Sequence, residues 1–142
     1  MKIGELMSKN VIHIGADEPV SVAARTLARH NIGLLPVCGR DGRLCGVVTD
    51  RDLVTRCLAA GRAPERTSVR QIMTAQVYTV PPDMDAGVAA SLMGKHQVRR
   101  LPVVEQGRLC GVLSLGDLAS QEDTSYDAVD ALSMISENVS MR

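Results

Sequence analysis

The sequence predicts a mixed α/β (α+β) fold: two tandem copies of a β-α-β-β-α unit, expected to pack about a pseudo-two-fold axis, followed by a helical tail. Two observations carry this. The first is an internal duplication. With Met7 set over Met73, Val11 falls on Val77, Asp17 on Asp83, Val22-Ala23-Ala24 on Val88-Ala89-Ala90, and His30 on His96. Leu35-Pro36-Val37 falls on Leu101-Pro102-Val103. After a one-residue deletion, Gly42-Arg43-Leu44-Cys45-Gly46-Val47 repeats as Gly107-Arg108-Leu109-Cys110-Gly111-Val112, and Asp52-Leu53 as Asp117-Leu118. The second observation is that hydrophobic spacing changes from strand-like to helix-like in the same order within each copy.

The elements follow in chain order. Val11-Ile12-His13-Ile14 is a short β-branched strand. Asp17 is placed to cap a helix over 20–30, with Pro19 tolerated in its first turn. Val20, Ala23, Ala24 and Leu27 form its buried face. Strands at 34–38 and 44–49 flank the turn Gly39-Arg40-Asp41-Gly42 and make a hairpin. A second helix over 50–60 stops at Gly61. Ala63-Pro64-Glu65-Arg66 is linker, and Ser68 caps a short helix leading to Met73. The second copy gives a strand at 77–80, Asp83 as cap, a helix at 85–96, strands at 101–105 and 109–114, and a helix from Asp117. The tail begins with the polar Gln121-Glu122-Asp123-Thr124-Ser125, read as loop. A helix over 125–138 follows, with Val129, Leu132 and Ile135 on one face, and serves as a cover for the domain or as a subunit contact. The organisation is therefore a first repeat over 1–62, linker 63–68, a second repeat over 69–120 and a tail over 121–142.

Composition excludes several function classes. The 142 residues hold 16 Lys and Arg against 16 Asp and Glu, a formal charge of zero. Nucleic-acid binders carry a basic excess to neutralise phosphates, so nucleic acid is not an expected partner. There is no Trp or Phe, and Tyr78 and Tyr126 are the only aromatics of their class, which leaves no ring platform for stacked bases. No long apolar run follows Met1-Lys2-Ile3-Gly4-Glu5, and none reaches membrane-spanning length, so neither a signal peptide nor a membrane partner is expected. Cys38, Cys45, Cys57 and Cys110 form no CxxC pair and are read as reduced thiols, in keeping with a cytoplasmic protein.

One pattern stands at the third strand of both repeats: a Gly, two apolar residues, a hydroxyl residue, two variable residues and an Asp. It reads Gly46-Val47-Val48-Thr49-Asp50-Arg51-Asp52 and Gly111-Val112-Leu113-Ser114-Leu115-Gly116-Asp117. With Met7 before the first strand and the two Leu-Pro-Val hairpins, the stretch from about residue 3 to 120 resembles a tandem pair of CBS motifs, the Bateman module. The resemblance implies ligand sensing rather than catalysis. No nucleophile-base-orienter set and no Gly-rich phosphate loop is present, which agrees with a non-enzyme. The implied ligand is adenosine-containing (AMP, ADP, ATP or S-adenosylmethionine), with no cofactor required. The other implied partners are a second copy of the chain, in a homodimer, and a regulated protein that sequence does not name.

The implied site lies in a cleft between the motifs. A helix start offers unpaired N–H groups and partial positive charge to a phosphate. Thr49 and Ser114 are placed to donate there, and the resemblance gives Asp52 and Asp117 the ribose hydroxyls. Both pairs are equally explained as a helix cap and a dipole-complementing acid with no ligand at all. The first expected site joins Thr49 and Asp52 to Val77, Tyr78, Thr79, Val80, Arg99 and Arg100; the second joins Ser114 and Asp117 to Val11, Ile12, His13 and Ile14, near Gly33-Leu34. Backbone groups of the strand would meet the base edge while aliphatic side chains sandwich the ring. Arg99-Arg100 can grip phosphate by charge-assisted bonds, whereas Gly33-Leu34 cannot, so the first site is the stronger expectation. Asp50 adds an opposing negative charge there.

The remaining polar residues read more plainly. His30 and His96 end equivalent helices and complement their dipoles. The cysteines read as small buried hydrophobes, and no metal site is expected. Alternatives to nucleotide sensing are a structural or interaction dimer with empty clefts, and a metal or redox sensor using Cys38, Cys45 and histidine.

Overall fold

The computed structural model describes residues 1–140; Met141 and Arg142, the end of the expected tail, lie outside the described residues. The chain forms two units. One comprises Ile12–Val77 with the hairpin tip Gly107–Leu109; the other comprises Met1–Val11, Tyr78–Gln106 and the chain from Cys110 onward. They are called here the first and second unit, after the repeat each is built on.

In the first unit, β1 (Ile14–Gly15) runs parallel to β2 (Leu34–Cys38), which pairs antiparallel with β3 (Leu44–Thr49) in the order β1-β2-β3. Leu35 faces Val48 and Ile14 faces Val37 in register. The expected strand at 11–14 is shorter and later, because only Ile14 and Gly15 lie opposite the end of β2. Helix α2 (Val20–His30) has the expected bounds, and Val20, Ala23 and Leu27 are buried. Its cap is not Asp17. Pro19 holds the N-cap position without a side-chain bond. The first free N–H groups donate to linker carbonyls instead, Val20 to Thr67 at 2.8 Å and Ser21 to Pro64 at 3.0 Å. Asp17 pairs with Arg70 at 3.4 Å. The chain leaves α2 through Asn31 in the left-handed region (φ 52°), a conformation Asn tolerates well.

The helix expected over 50–60 is split. α3 (Asp50–Asp52) passes into a π-helical segment, Leu53–Leu58, and the chain turns out at Gly61 with φ 73°. In the wider turn Cys57 is fully buried, while Val54 and Leu58 stay exposed. A short 3-10 turn, Val69–Gln71, begins where the Ser68 N–H donates to Gln71 Oε1 at 3.0 Å. The core gathers Val20, Leu27, Leu35, Val37, Val48 and Ile72.

The second unit holds α1 (Ile3–Leu6), α4 (Ala86–His96), the paired strands β4 (Arg100–Glu105) and β5 (Arg108–Ser114), α5 (Leu115–Ala119) and α6 (Ser125–Ser140). The strand expected at 77–80 reduces to Val80, which bridges Val103 in parallel. Asp85, not Asp83, caps α4: its carboxylate accepts from the Gly87 N–H at 3.0 Å. The loop expected at 121–125 includes a 3-10 turn, Glu122–Thr124. The expected apolar face of α6 is also shifted. Ala128, Ala131 and Ile135 are buried, whereas Val129 is 60% and Leu132 41% exposed. The cause is close packing on α4, where a Cβ at Gly94 would stand 3.3 Å from the Ala131 Cα. Ala131 fits that close approach, so Val129 and Leu132 turn aside, while Ile135 of the expected face stays buried. Among the described residues no helix is long and apolar enough to cross a membrane.

Each return strand takes an outside partner. Ser8 exchanges backbone hydrogen bonds with Val112, at 3.0 and 3.1 Å, and Thr74 does the same with Val47, at 3.0 and 2.8 Å. The preceding Gly makes this approach possible. A Cβ at Gly111 would meet Met7 Sδ at 2.5 Å and Ser8 O at 2.9 Å, and one at Gly46 would collide with Thr74 O. Gly46→Ala and Gly111→Ala are each expected to lower stability by about 1–3 kcal/mol, through overpacking. Gly116→Ala, which meets only Ser114 Oγ at 3.6 Å, is expected not to lower it. Urea denaturation midpoints check all three, and a neutral Gly46→Ala would refute the packing argument.

Candidate functional site

Both strand-to-helix corners are built by the same reciprocal bonds. At the first, the Asp52 N–H donates to Thr49 Oγ1 at 3.1 Å and the Thr49 N–H donates to Asp52 Oδ2 at 3.0 Å. At the second, the Asp117 N–H donates to Ser114 Oγ at 3.0 Å and the Ser114 N–H donates to Asp117 Oδ2 at 2.9 Å. This is a capping box with Asp in place of Glu at its third position. The four residues thus have a complete helix-starting role without any ligand.

The corners differ in what surrounds them. Asp52 is buried, and its Oδ1 lies 3.7 Å from Arg56 Nε. Arg56 Nη1 also donates to the carbonyls of Ile72 and Met73, each at 3.2 Å, so this guanidinium ties the corner to the chain leading into the second repeat. The Asp50 N–H donates to Gly33 O at 3.1 Å, and its carboxylate faces Gly33. At the second corner the Leu115 N–H donates to Arg99 O at 2.9 Å. That bond sets Arg99 and Arg100 beside the start of α5. They line a cleft of about 470 Å³ with Ser114, Leu115 and Gly116, walled on its other side by Val129 and Leu132 of α6.

The other expected site residues fall as follows. Thr49, Asp52 and Val77 belong to the first unit, and Tyr78, Thr79, Val80, Arg99 and Arg100 to the second. Val80 is buried, its N–H donates to Pro102 O at 3.2 Å and its carbonyl accepts from Val104 at 2.9 Å, so neither its side chain nor its backbone is spare. Tyr78 is 55% exposed and stacks on His96, with ring centroids 3.6 Å apart and planes 14° off parallel. His96 thus has a packing partner besides the helix dipole. Val11 lies in the second unit with Ser114 and Asp117; Ile12, His13 and Ile14 lie in the first. Ile14 is buried in strand pairing, Ile12 packs on the core, and His13 is exposed. Sequence reading missed Leu115, Val129 and Leu132 as cleft residues. The available signal was the run of small residues on α6, which marks Ala128 and Ala131 as the packing face and sends 129 and 132 elsewhere.

Burial pushes the Cys38 thiol above its ordinary value, and neighbouring Cys45 adds to the rise. Burial also raises Cys110, aided by the Glu105 carboxylate. Both thiols are therefore protonated near neutral pH, a state that binds metal poorly. Among the described residues no three His, Cys, Asp or Glu side chains gather as a metal site. Because each box supplies cap bonds, Asp52→Ala and Asp117→Ala are each expected to cost about 1 kcal/mol, seen as a lower urea midpoint. A neutral Asp117→Ala would show that the box contributes nothing.

Comparison with known proteins bears on the whole arrangement. The family model for the CBS domain matches residues 3–59 and again 69–122. The chain is 36% identical over 134 residues to the CBS domain-containing protein YhcV of Bacillus subtilis, covering 94% of each. It is 36% identical over 115 residues to hypoxic response protein 1 of Mycobacterium tuberculosis, covering 81% of this chain and 80% of that one. A crystal structure of hypoxic response protein I with two coordinated zinc ions superposes with a TM-score of 0.78 at 35% identity, over 85% of this chain and 98% of that one. The CBS domain pair of protein MJ0100, solved with 5'-methylthioadenosine and S-adenosyl-L-methionine, gives a TM-score of 0.72 at 27% identity, over 84% and 94%. Two matched repeats, two glycine-to-Asp corners and these likenesses lead to one conclusion: the chain belongs to the CBS-domain family, as a CBS pair, a regulatory module rather than an enzyme.

Proposed function

We propose that this CBS pair is a cytoplasmic sensor that binds an adenosine-containing nucleotide and passes the signal, by a change in packing, to a partner protein or through a homodimer. The observation that carries this reading is the cleft of the second unit, where Arg99, Arg100 and Ser114 share about 470 Å³ with Leu115, Val129 and Leu132. Two guanidinium groups and a hydroxyl suit a phosphate, and the aliphatic wall suits a ring without aromatic stacking. The volume falls within the range of small-ligand pockets. The MJ0100 pair, with its two adenosyl ligands, supports the same ligand class. The arginines favour phosphorylated members over uncharged ones.

This ordering puts Ser114 with Asp117 ahead of Thr49 with Asp52 as the ribose-facing pair, because the arginines line the same cleft as Ser114. Ligand binding shifts a conformational equilibrium only through unequal affinity for its two states. The test is a thermal shift panel of AMP, ADP, ATP and S-adenosylmethionine. A ligand at a hundredfold over its Kd adds about 2.7 kcal/mol of stability. The Arg99→Ala/Arg100→Ala variant is expected to lose the shift and Asp52→Asn to keep it. The opposite pattern moves the ligand to the first corner. No shift with any of the four at millimolar concentration overturns nucleotide sensing and leaves a structural or interaction role.

A further inference from the structure

The hairpin of the first unit carries an irregularity that its counterpart in the second repeat cannot use in the same way. Val37 faces Gly46, but the next residue, Cys38, faces Leu44. One step along β2 thus spans two along β3, and Cys45 is the extra residue. In such a bulge two residues of one strand oppose a single residue of the other, so Leu44 and Cys45 both stand against Cys38. The Cys45 sulfur reaches the same end of the hairpin: a Cβ at Gly39, the residue after Cys38, would lie 3.5 Å from Cys45 Sγ. The influence of Cys45 on the Cys38 thiol is a second sign of their nearness. Cys45 is thus a sequence neighbour of the residue that directly opposes Cys38, and closing a disulfide asks the bulge to bring the two Cβ atoms to about 3.5–4.5 Å.

The two thiols also differ in access. Cys38 is 6% exposed, while Cys45 is half-buried, its thiol donating to Arg43 O at 3.8 Å. Cys38 borders a separate opening of about 310 Å³, lined also by Gly15, Asp17, Gly39 and Arg40. In the second repeat Cys110 matches Cys45, but the position matching Cys38 is Val104. Cys110 donates to Val103 O at 3.3 Å, and its repeat has a valine where the first has Cys38. Cys57 is fully buried and donates to Arg62 O at 3.6 Å. The chain thus holds its own control for a lone thiol at the same hairpin position.

We propose that Cys38 and Cys45 form a reversible redox site, closing to an intrachain disulfide across the bulge when the protein meets a hydroperoxide. The more accessible Cys45 sulfur attacks the O–O bond and takes one oxygen as a sulfenic acid; the other oxygen leaves with the thiol proton as water, or as the alcohol when the hydroperoxide is organic. The Cys38 sulfur then attacks the Cys45 sulfur, the S–O bond breaks, and the hydroxyl leaves as water with the Cys38 proton. Two thiols and one hydroperoxide group give one disulfide with loss of two electrons from sulfur, and both electrons go to the peroxide oxygens. A thiol reduces the bridge by exchange. The site is independent of nucleotide binding.

The experiment treats the full-length wild-type protein at about ten micromolar with hydrogen peroxide, blocks remaining thiols after denaturation, and maps tryptic peptides. A partner on the adjacent strand has an effective concentration at or above the millimolar range, about a hundredfold over a second molecule. The expected product joins residues 30–40 to residues 44–51, two hydrogens lighter than their sum, and dithiothreitol separates it. Intermolecular adducts of Cys110 should be about a hundredfold rarer. The Cys110→Ser variant is expected to keep the 30–40/44–51 link and Cys45→Ser to lose it. Recovery of Cys45 as a sulfinic acid with Cys38 still a thiol overturns the proposal, as does linkage of either cysteine chiefly to Cys110 or to a second chain.

Discussion

Backbone hydrogen bonds between an extended lead-in segment and the return strand of a hairpin complete each unit, and a missing side chain makes them possible. Ser8 reaches Val112, and Thr74 reaches Val47, because Gly111 and Gly46 leave room beneath them. A larger residue at either glycine would drive the lead-in off the strand and expose a row of unpaired backbone groups. The methionines that precede the two partners, Met7 and Met73, pack against the same glycines. Their flexible thioethers fill the space that the glycines leave.

The corner at the end of each return strand inherits that rigidity. The strand ends in a hydroxyl residue that caps the next helix, and the helix returns an Asp to the cap. With identical bonds at both corners, chemical difference comes from what is packed nearby. At the first corner it is Arg56, tied to Ile72 and Met73. At the second it is an arginine pair and the flank of α6. A duplicated frame has thus been given two unlike surroundings, and only the second sets paired positive charge beside an apolar wall.

Much of this was legible from sequence because the repeat doubles every signal. The bounds of α2, β2 and β3 follow from periodicity and turn residues alone, and the structure reproduces them. Helix caps were less legible. Asp17 and Asp83 carry the right chemistry in equivalent places, yet α2 is started by linker carbonyls and α4 by Asp85, since a cap depends on which group lies within bonding distance. The π-helical turn at Leu53–Leu58 was hidden for a similar reason: it is set by tertiary packing, which local pattern does not record. At the candidate site the corners could be read from the repeated Gly-to-Asp pattern. The company of Arg99 and Arg100 could not, because it rests on a backbone bond between Leu115 and Arg99, sixteen positions apart.

The assignment of Met1–Val11 to the second unit has a consequence for the order in which the chain acquires structure. A ribosome releases residues from the N-terminus, so by the time Val77 emerges nearly all of the first unit exists. The first eleven residues have by then nothing to bind. Ile3 waits for Met84 and Ser8 for Val112, a hundred and four positions later. These residues are made before the first unit yet are among the last to settle, and their loop-closure entropy is met only when the second hairpin arrives. In this duplicated chain the two halves share a plan but not a timetable.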